Sequence, residues 1–195
     1  GDLAPLSHAA LVLMGEGRAR DRLGEERPVL DLLAEANIAP IELAEKEGLA
    51  LINGTDGMLG MLVLALADLD VLAKVADLST SLTVQALRGR DTVFSPELHG
   101  PLRPHPGQVA SAANIFSLLA GSGIVADVMA EGSRVQDAYS IRCAPQVAGG
   151  VRDTIAHART VADRELASAI DNPVVLRDGR VTSNGNFHGA PVAYV

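Results

Sequence analysis

In VQDAYSIRC, residues 135–143, Gln136, Tyr139 and Arg142 stand three apart. If the stretch makes helical turns, the three share one face. Arg142 then offers a planar fork suited to a carboxylate, and Tyr139 a phenol able to exchange protons when its surroundings lower its pKa. A surface turn with an exposed arginine satisfies the same spacing equally well. LINGTDG, residues 51–57, sets Asn53 and Thr55 at the head of a long apolar segment. The default role there is a cap for the free N–H groups of a first helical turn. SNGNFHG, residues 183–189, is an Asn- and Gly-rich loop holding Phe187. In a chain with 3% aromatic residues, that ring is either a packing anchor, the commoner case, or a lid over a pocket.

Other chemistries find little support. The histidines His8, His99, His105, His157 and His188 make no HxxxH or HExxH spacing, and Cys143 is the single cysteine. No metal site is therefore expected. GEGRAR lacks the third glycine and preceding strand of a dinucleotide fingerprint, and no GxSxG elbow occurs. The formal charge of −8, without a run of Lys or Arg, offers no attraction for phosphate backbones or anionic lipid. Neither nucleic acid nor a membrane is an expected partner. The lone cysteine cannot close an intramolecular disulfide, and no charged-then-apolar leader precedes it, so a reducing cytoplasm is the expected setting.

These side chains need helices to hold them. With 48% hydrophobic residues and few rings, the core is expected to be Leu, Val, Ala and Ile on packed helices. LSHAALVLMGEG reads as a short helix stopped at Gly15 and Gly17, RARDRLGEERPVL as an exposed hairpin or loop, and LDLLAEANIAP as a brief helix ended by Asn37 and Pro40. The longest helical signal runs from about Thr55 to Leu87 and contains GMLGMLVLALA, residues 57–67. That run is too short to span a bilayer and reads as buried. Asp70, Lys74 and Asp77 form a polar stripe in which Asp70 and Lys74 have the favourable order for an ion pair. RGRDTVFSPELHGPLRPHPGQ is a connecting loop. A helix from Gln108 to Leu119 presents Val109, Ala112, Ala113 and Phe116, and another after Pro145 carries a stripe of Val147, Val151, Ile155, Ala158, Ala162 and Leu166. DNPVVLRDGRV reads as a strand, a turn at Asp178-Gly179 and a return. The fold class is mainly α, long packed helices with a small β-hairpin. Its apolar stripes outrun the partners so few helices can supply, so other segments or subunits are expected to cover them.

GDLAPLSH, KEGLALINGT, RPHPGQ, VQDAYSIRCAPQVAG, RELASAIDNP and SNGNFHGAPVA occur in the order and approximate spacing found in the aromatic amino acid ammonia-lyases. Over essentially its whole length the chain resembles that family, its histidine-acting branch most closely. It departs at Ala138, Asn184 and Ala190, where Pro, Gly and Glu are frequent. The resemblance implies that residues 1–195 are one central piece of a larger helical lyase chain, which also explains an opening at Gly1 without an initiator Met. Gly1 corresponds to the third member of an Ala-Ser-Gly triad that cyclises, losing water, to 4-methylidene-imidazol-5-one. A glycine suits that place because its nitrogen must approach the Ala carbonyl closely.

The activity implied is β-elimination of ammonia from L-histidine to urocanate, in a homotetramer with pockets shared between subunits. By the same resemblance Asn53 stands by the electrophile, Tyr139 near the reacting carbons and Arg142 on the substrate carboxylate. Gln136, Asn172 and Phe187 line the pocket. The segment alone is expected to be catalytically silent. Phenylalanine or tyrosine ammonia-lyases and aminomutases of the same family are the alternatives, and a helical oligomerisation scaffold is the non-enzymatic one.

Overall fold

The computed structural model describes residues 3–131 and 135–195. In chain order the elements are α1 (Leu3–Leu13), β1 (Arg18–Arg20), β2 (Glu26–Pro28), α2 (Val29–Glu35), α3 (Glu47–Ala50), α4 (Asp56–Ala86), one 3-10 turn (Thr92–Phe94), α5 (Pro106–Leu119), α6 (Gly123–Glu131), α7 (Tyr139–Arg142), α8 (Ala144–Leu166), β3 (Val174–Val175), β4 (Val181–Thr182) and α9 (Ala190–Ala193). The class is mainly α, as composition predicts. Two compact units form, one from residues up to Leu62 with Val161–Val195, the other from Val63–Thr160. The chain crosses from one to the other inside α4 and again inside α8.

In the first unit α1 stops where expected. Glu16 N–H reaches Leu11 C=O at 2.8 Å and Gly15 N–H reaches Val12 C=O at 3.1 Å, satisfying carbonyls the helix leaves open. Gly15 has φ 80°, a backbone conformation that favours glycine. Of the hairpin or loop that the sequence allows, a hairpin forms: β1 and β2 pair antiparallel with Ala19 opposite Arg27. Asp21 Oδ1 closes its turn by accepting the N–H groups of Leu23 (2.8 Å) and Glu25 (3.0 Å). The brief helix α2 ends at Ala36, with Asn37 at φ 56°. Val174 opposite Thr182 sets the register of the second hairpin, turned through Gly179 at φ 83°.

Helix α4 matches its predicted span within a residue at each end, but its burial differs from expectation. Leu59, Leu66, Ala73, Asp77, Ser81 and Val84 are buried, a single narrow stripe at spacings of three, four and seven. Met61 is 64% exposed and Leu64 71%. The 57–67 run is thus a surface-facing segment with two fully buried leucines. Asp70 pairs with Arg159 at 2.5 Å on α8 and not with Lys74. Asp77 is buried, not part of a solvated stripe: it accepts from Ser111 Oγ (2.5 Å) and Asn114 Nδ2 (2.9 Å) and pairs with Arg152. Burial strengthens the Asp77–Arg152 pair, whereas the Asp70–Arg159 pair is about half exposed and weak.

The core of the second unit is Val84, Phe94, Ile115, Leu119, Val125 and Ile141, with Val93 and Phe116 packed against it. Phe94 comes from the Gly- and Pro-rich loop, which therefore builds core as well as connecting helices. That loop also buries His99, whose Nε2 donates to Val93 C=O (3.0 Å) while Nδ1 accepts from Gln108 Nε2 (2.9 Å). Helix α5 starts at Pro106, a first-turn proline, and buries Gly107, Gln108, Ser111, Ala112, Ile115 and Leu119. The expected face fails at Ala113, which is exposed, while Val109 and Phe116 are half-buried. Polar Gln108 and Ser111 occupy core positions because each has a buried hydrogen-bond partner. The sequence reading does not anticipate α6. On α8, Ile155, Ala158 and Ala162 are buried, whereas Val147, Val151 and Leu166 at the ends of its stripe are exposed.

Candidate functional site

In the first unit the stretch after α3 turns Asn53 inward. Its Nδ2 donates to Asn172 C=O at 2.9 Å and to Asp171 Oδ1 at 3.3 Å. Asn53 is therefore not a helix cap, and Thr55, directly before α4, sends its hydroxyl to Glu165 Oε1 at 2.6 Å with both residues buried. A distant carboxylate of fixed position takes these groups in place of the local backbone. Asn172 belongs to the same cluster: its Oδ1 accepts from Asn184 N–H (2.8 Å) and Ser183 Oγ (3.1 Å). The cis Asn172-Pro173 bond follows at once.

Asp171 holds the cluster together. It pairs with Lys46, accepts the N–H of Asn172 at 2.7 Å, and its C=O accepts from Asn184 Nδ2 at 2.9 Å. Burial pushes its carboxyl up, but the hydrogen bonds from Lys46, the Asn172 N–H and Asn53, with the Lys46 charge, outweigh that and hold it below the ordinary value. Sequence reading missed Asp171, Lys46, Asn184 and Glu165 as site groups. Asp171 adjoins Asn172, and Lys46 opens KEGLALINGT, so the motifs contained them without saying which groups would touch.

Phe187 is half-buried, and its neighbours Asn186 and His188 line a cleft of about 500 Å³ with Glu165, Ser168, Ile170 and Pro191. Gly1 lies outside the described residues.

In the second unit α7 is only Tyr139–Arg142. Gln136 precedes it in irregular structure and is exposed, so the three-residue spacing does not place it on a shared helical face. Tyr139 and Arg142 do meet, with Cζ of the guanidinium 5.8 Å from the ring centroid. Arg142 Nε donates to Asp137 C=O at 3.0 Å, which aims the fork and leaves its terminal nitrogens for a carboxylate. Tyr139 is 75% exposed. Buried Asp137 fixes this corner by accepting Arg90 N–H at 2.7 Å. Among the described residues, no three His, Cys, Asp or Glu side chains gather to hold a metal ion.

The description "aromatic amino acid lyase" matches residues 1–195, the entire chain. The chain belongs to the aromatic amino acid lyase family. It is 69% identical over 195 residues to a histidine ammonia-lyase of Streptomyces avermitilis, covering 100% of this chain and 38% of that one. A tyrosine aminomutase from Streptomyces globisporus superposes with a TM-score of 0.88 at 43% identity, covering 99% of this chain and 40% of the other. The histidine ammonia-lyase of Trypanosoma cruzi gives 0.82 at 38% identity, over 99% and 36%. The chain thus spans well under half the length of these aromatic amino acid lyase relatives.

Proposed function

We propose that these residues serve within a histidine ammonia-lyase, which removes ammonia from L-histidine to give urocanate. The observation that carries the reading is the 69% identity to such an enzyme along all 195 residues. The segment is the central part of a longer chain, inactive by itself, and the complete protein is a homotetramer.

The donor set suits 4-methylidene-imidazol-5-one, a neutral ring with a carbonyl and nitrogens. Asn172 has its Oδ1 engaged, which leaves Nδ2 as a donor toward the ring's carbonyl or imine nitrogen, whereas Asn53 has its Nδ2 engaged, which leaves Oδ1 as an acceptor for the substrate's ammonium. Gly1 contributes the nitrogen that closes the ring. When bound, the group supplies an electrophilic carbon that draws electron density from the substrate and makes a β-proton easier to remove. Arg142 grips the substrate carboxylate with its terminal nitrogens while Asp137 C=O holds its stem. The Tyr139 phenol oxygen takes the proton from Cβ; the C–H pair becomes the new double bond as the amine departs from Cα with the C–N pair. Gln136 and Phe187 contact the substrate side chain.

Incubating the full-length protein with L-histidine is expected to raise urocanate absorbance. Tyr139→Phe lowers kcat by about 10²–10⁴-fold, the usual range for a general base, and Arg142→Lys raises KM through loss of the bidentate fork. Unchanged kinetics in both variants would return the chain to a scaffold role. The likeness to a tyrosine aminomutase favours a second reading in which ammonia is returned to Cβ; a β-amino acid among the products selects it.

A further inference from the structure

We infer that Asp171, paired with Lys46, is a positioning residue that fixes the orientation of the Asn53 amide, so that Asn53 works through its oxygen as an acceptor. The inference rests on the lyase reading above, in which Asn53 faces the reacting groups.

Two acceptors lie beneath Asn53. Asp171 Oδ1 and Asn172 C=O lie 3.3 and 2.9 Å from Nδ2. A flipped amide would set its own oxygen against a carboxylate and a carbonyl, two like-signed partners, so only one orientation satisfies the pocket. Both Nδ2 protons are spent there, and Oδ1 is the group left to meet a ligand. That ligand group must be a donor, an ammonium or a neutral N–H. Asp171 can enforce the choice only as a carboxylate, because a protonated carboxyl could donate and so accept the flipped amide. Lys46 sees to this from a left-handed backbone position, φ 72°, that carries its ammonium to Asp171 Oδ2. The other oxygen is tied down by the Asn172 N–H at 2.7 Å, and the carbonyl of Asp171 by Asn184 Nδ2 at 2.9 Å. Every rotation that would let Asp171 release Asn53 is thereby opposed. The group that touches substrate is Asn53; Asp171 and Lys46 act through it.

The test is a double-mutant cycle in the full-length enzyme with L-histidine. Asp171→Asn, whose amide can donate, is expected to lower kcat about 10–100-fold, as loss of an orienting partner does, with KM little changed. Asn53→Ala removes the oriented group itself. The double variant is expected to be no slower than Asn53→Ala alone, because Asp171 then has nothing left to orient. Lys46→Arg, which keeps the charge, retains most of kcat, whereas Lys46→Met falls toward Asp171→Asn. Additive losses in the cycle, or a wild-type kcat in Asp171→Asn, overturn the inference. If Asp171→Asn does not fold, Lys46→Met combined with Asn53→Ala makes the same cycle from the other end of the pair. A wild-type protein that leaves L-histidine and other aromatic amino acids unchanged sinks the lyase reading instead, and does so before any variant is made.

Discussion

Single residues here are decided by what burial does to charge. Asp77 is 1% exposed and takes three partners, Ser111, Asn114 and Arg152. Removing one side of a buried ion pair strands the other without water. Asp77→Ala is therefore expected to destabilise the protein by roughly 3–5 kcal/mol, read from urea unfolding, whereas removing exposed Asp70 from Arg159 should cost under about 1 kcal/mol. Asp171 makes a prediction about pH. Its carboxyl is held below the ordinary carboxylate value in the folded protein, so its ionised form stabilises the fold above the ordinary value, and the contribution is lost as pH falls through the lowered pKa. Lys46→Met removes two of the four influences that lower it, the Lys46 hydrogen bond and the Lys46 charge, and leaves burial less opposed. The acid-unfolding midpoint, followed by circular dichroism, should then move to higher pH.

At the scale of elements, the crossing of α5 and α8 is set by two glycines. A Cβ on Gly149 would lie 2.4 Å from the backbone N and Cα of Gln108, and one on Gly107 would lie 2.2 Å from Gly149 O. Neither obstacle is the end of a flexible side chain, so the helices themselves would have to part. Gly149→Ala is expected to cost about 1–3 kcal/mol or more. Its neighbour Gly150 has nothing within 4 Å of a new Cβ. Gly150→Ala should stabilise by about 0.5–1 kcal/mol through helix propensity. Thermal unfolding of the two variants gives shifts of opposite sign, and two shifts of the same sign would show that the crossing is not backbone-limited.

For the molecule as a whole, one exposed apolar surface is the flank of α4. Leu64, Val71, Leu72, Val75, Leu78 and Leu82 on it are between 46% and 71% exposed, a run of apolar side chains of the kind that marks an interaction surface. At about 25 cal/mol per Å² such a flank drives association strongly. The chain also spans only 38% of the Streptomyces avermitilis relative. Leu64→Lys with Leu72→Lys and Leu82→Lys is expected to break the proposed tetramer of the full-length protein into smaller species. Light scattering after size exclusion measures that, and an unchanged mass would remove α4 from the assembly interface.

Much was legible before any coordinates. Helix α4 was readable within a residue at each end because 31 residues of apolar and good helix-forming side chains leave no competing periodicity. Turn chemistry is local, so Asp178-Gly179 marked the second hairpin, while the segment around Gly24 read as either a hairpin or a loop. The motifs that mark the family were written in the chain. What the chain alone could not tell was which side chains would find one another: that Asp70 would choose Arg159 over Lys74, that Asn53 would serve Asp171 instead of capping a helix, and that Gln136 would fall outside α7. Local sequence determines the elements because propensity and periodicity act over a few residues. Partner choice belongs to the tertiary structure, because a buried charge or amide goes to whichever group the fold holds still beside it, at separations of up to 125 residues for Lys46 and Asp171.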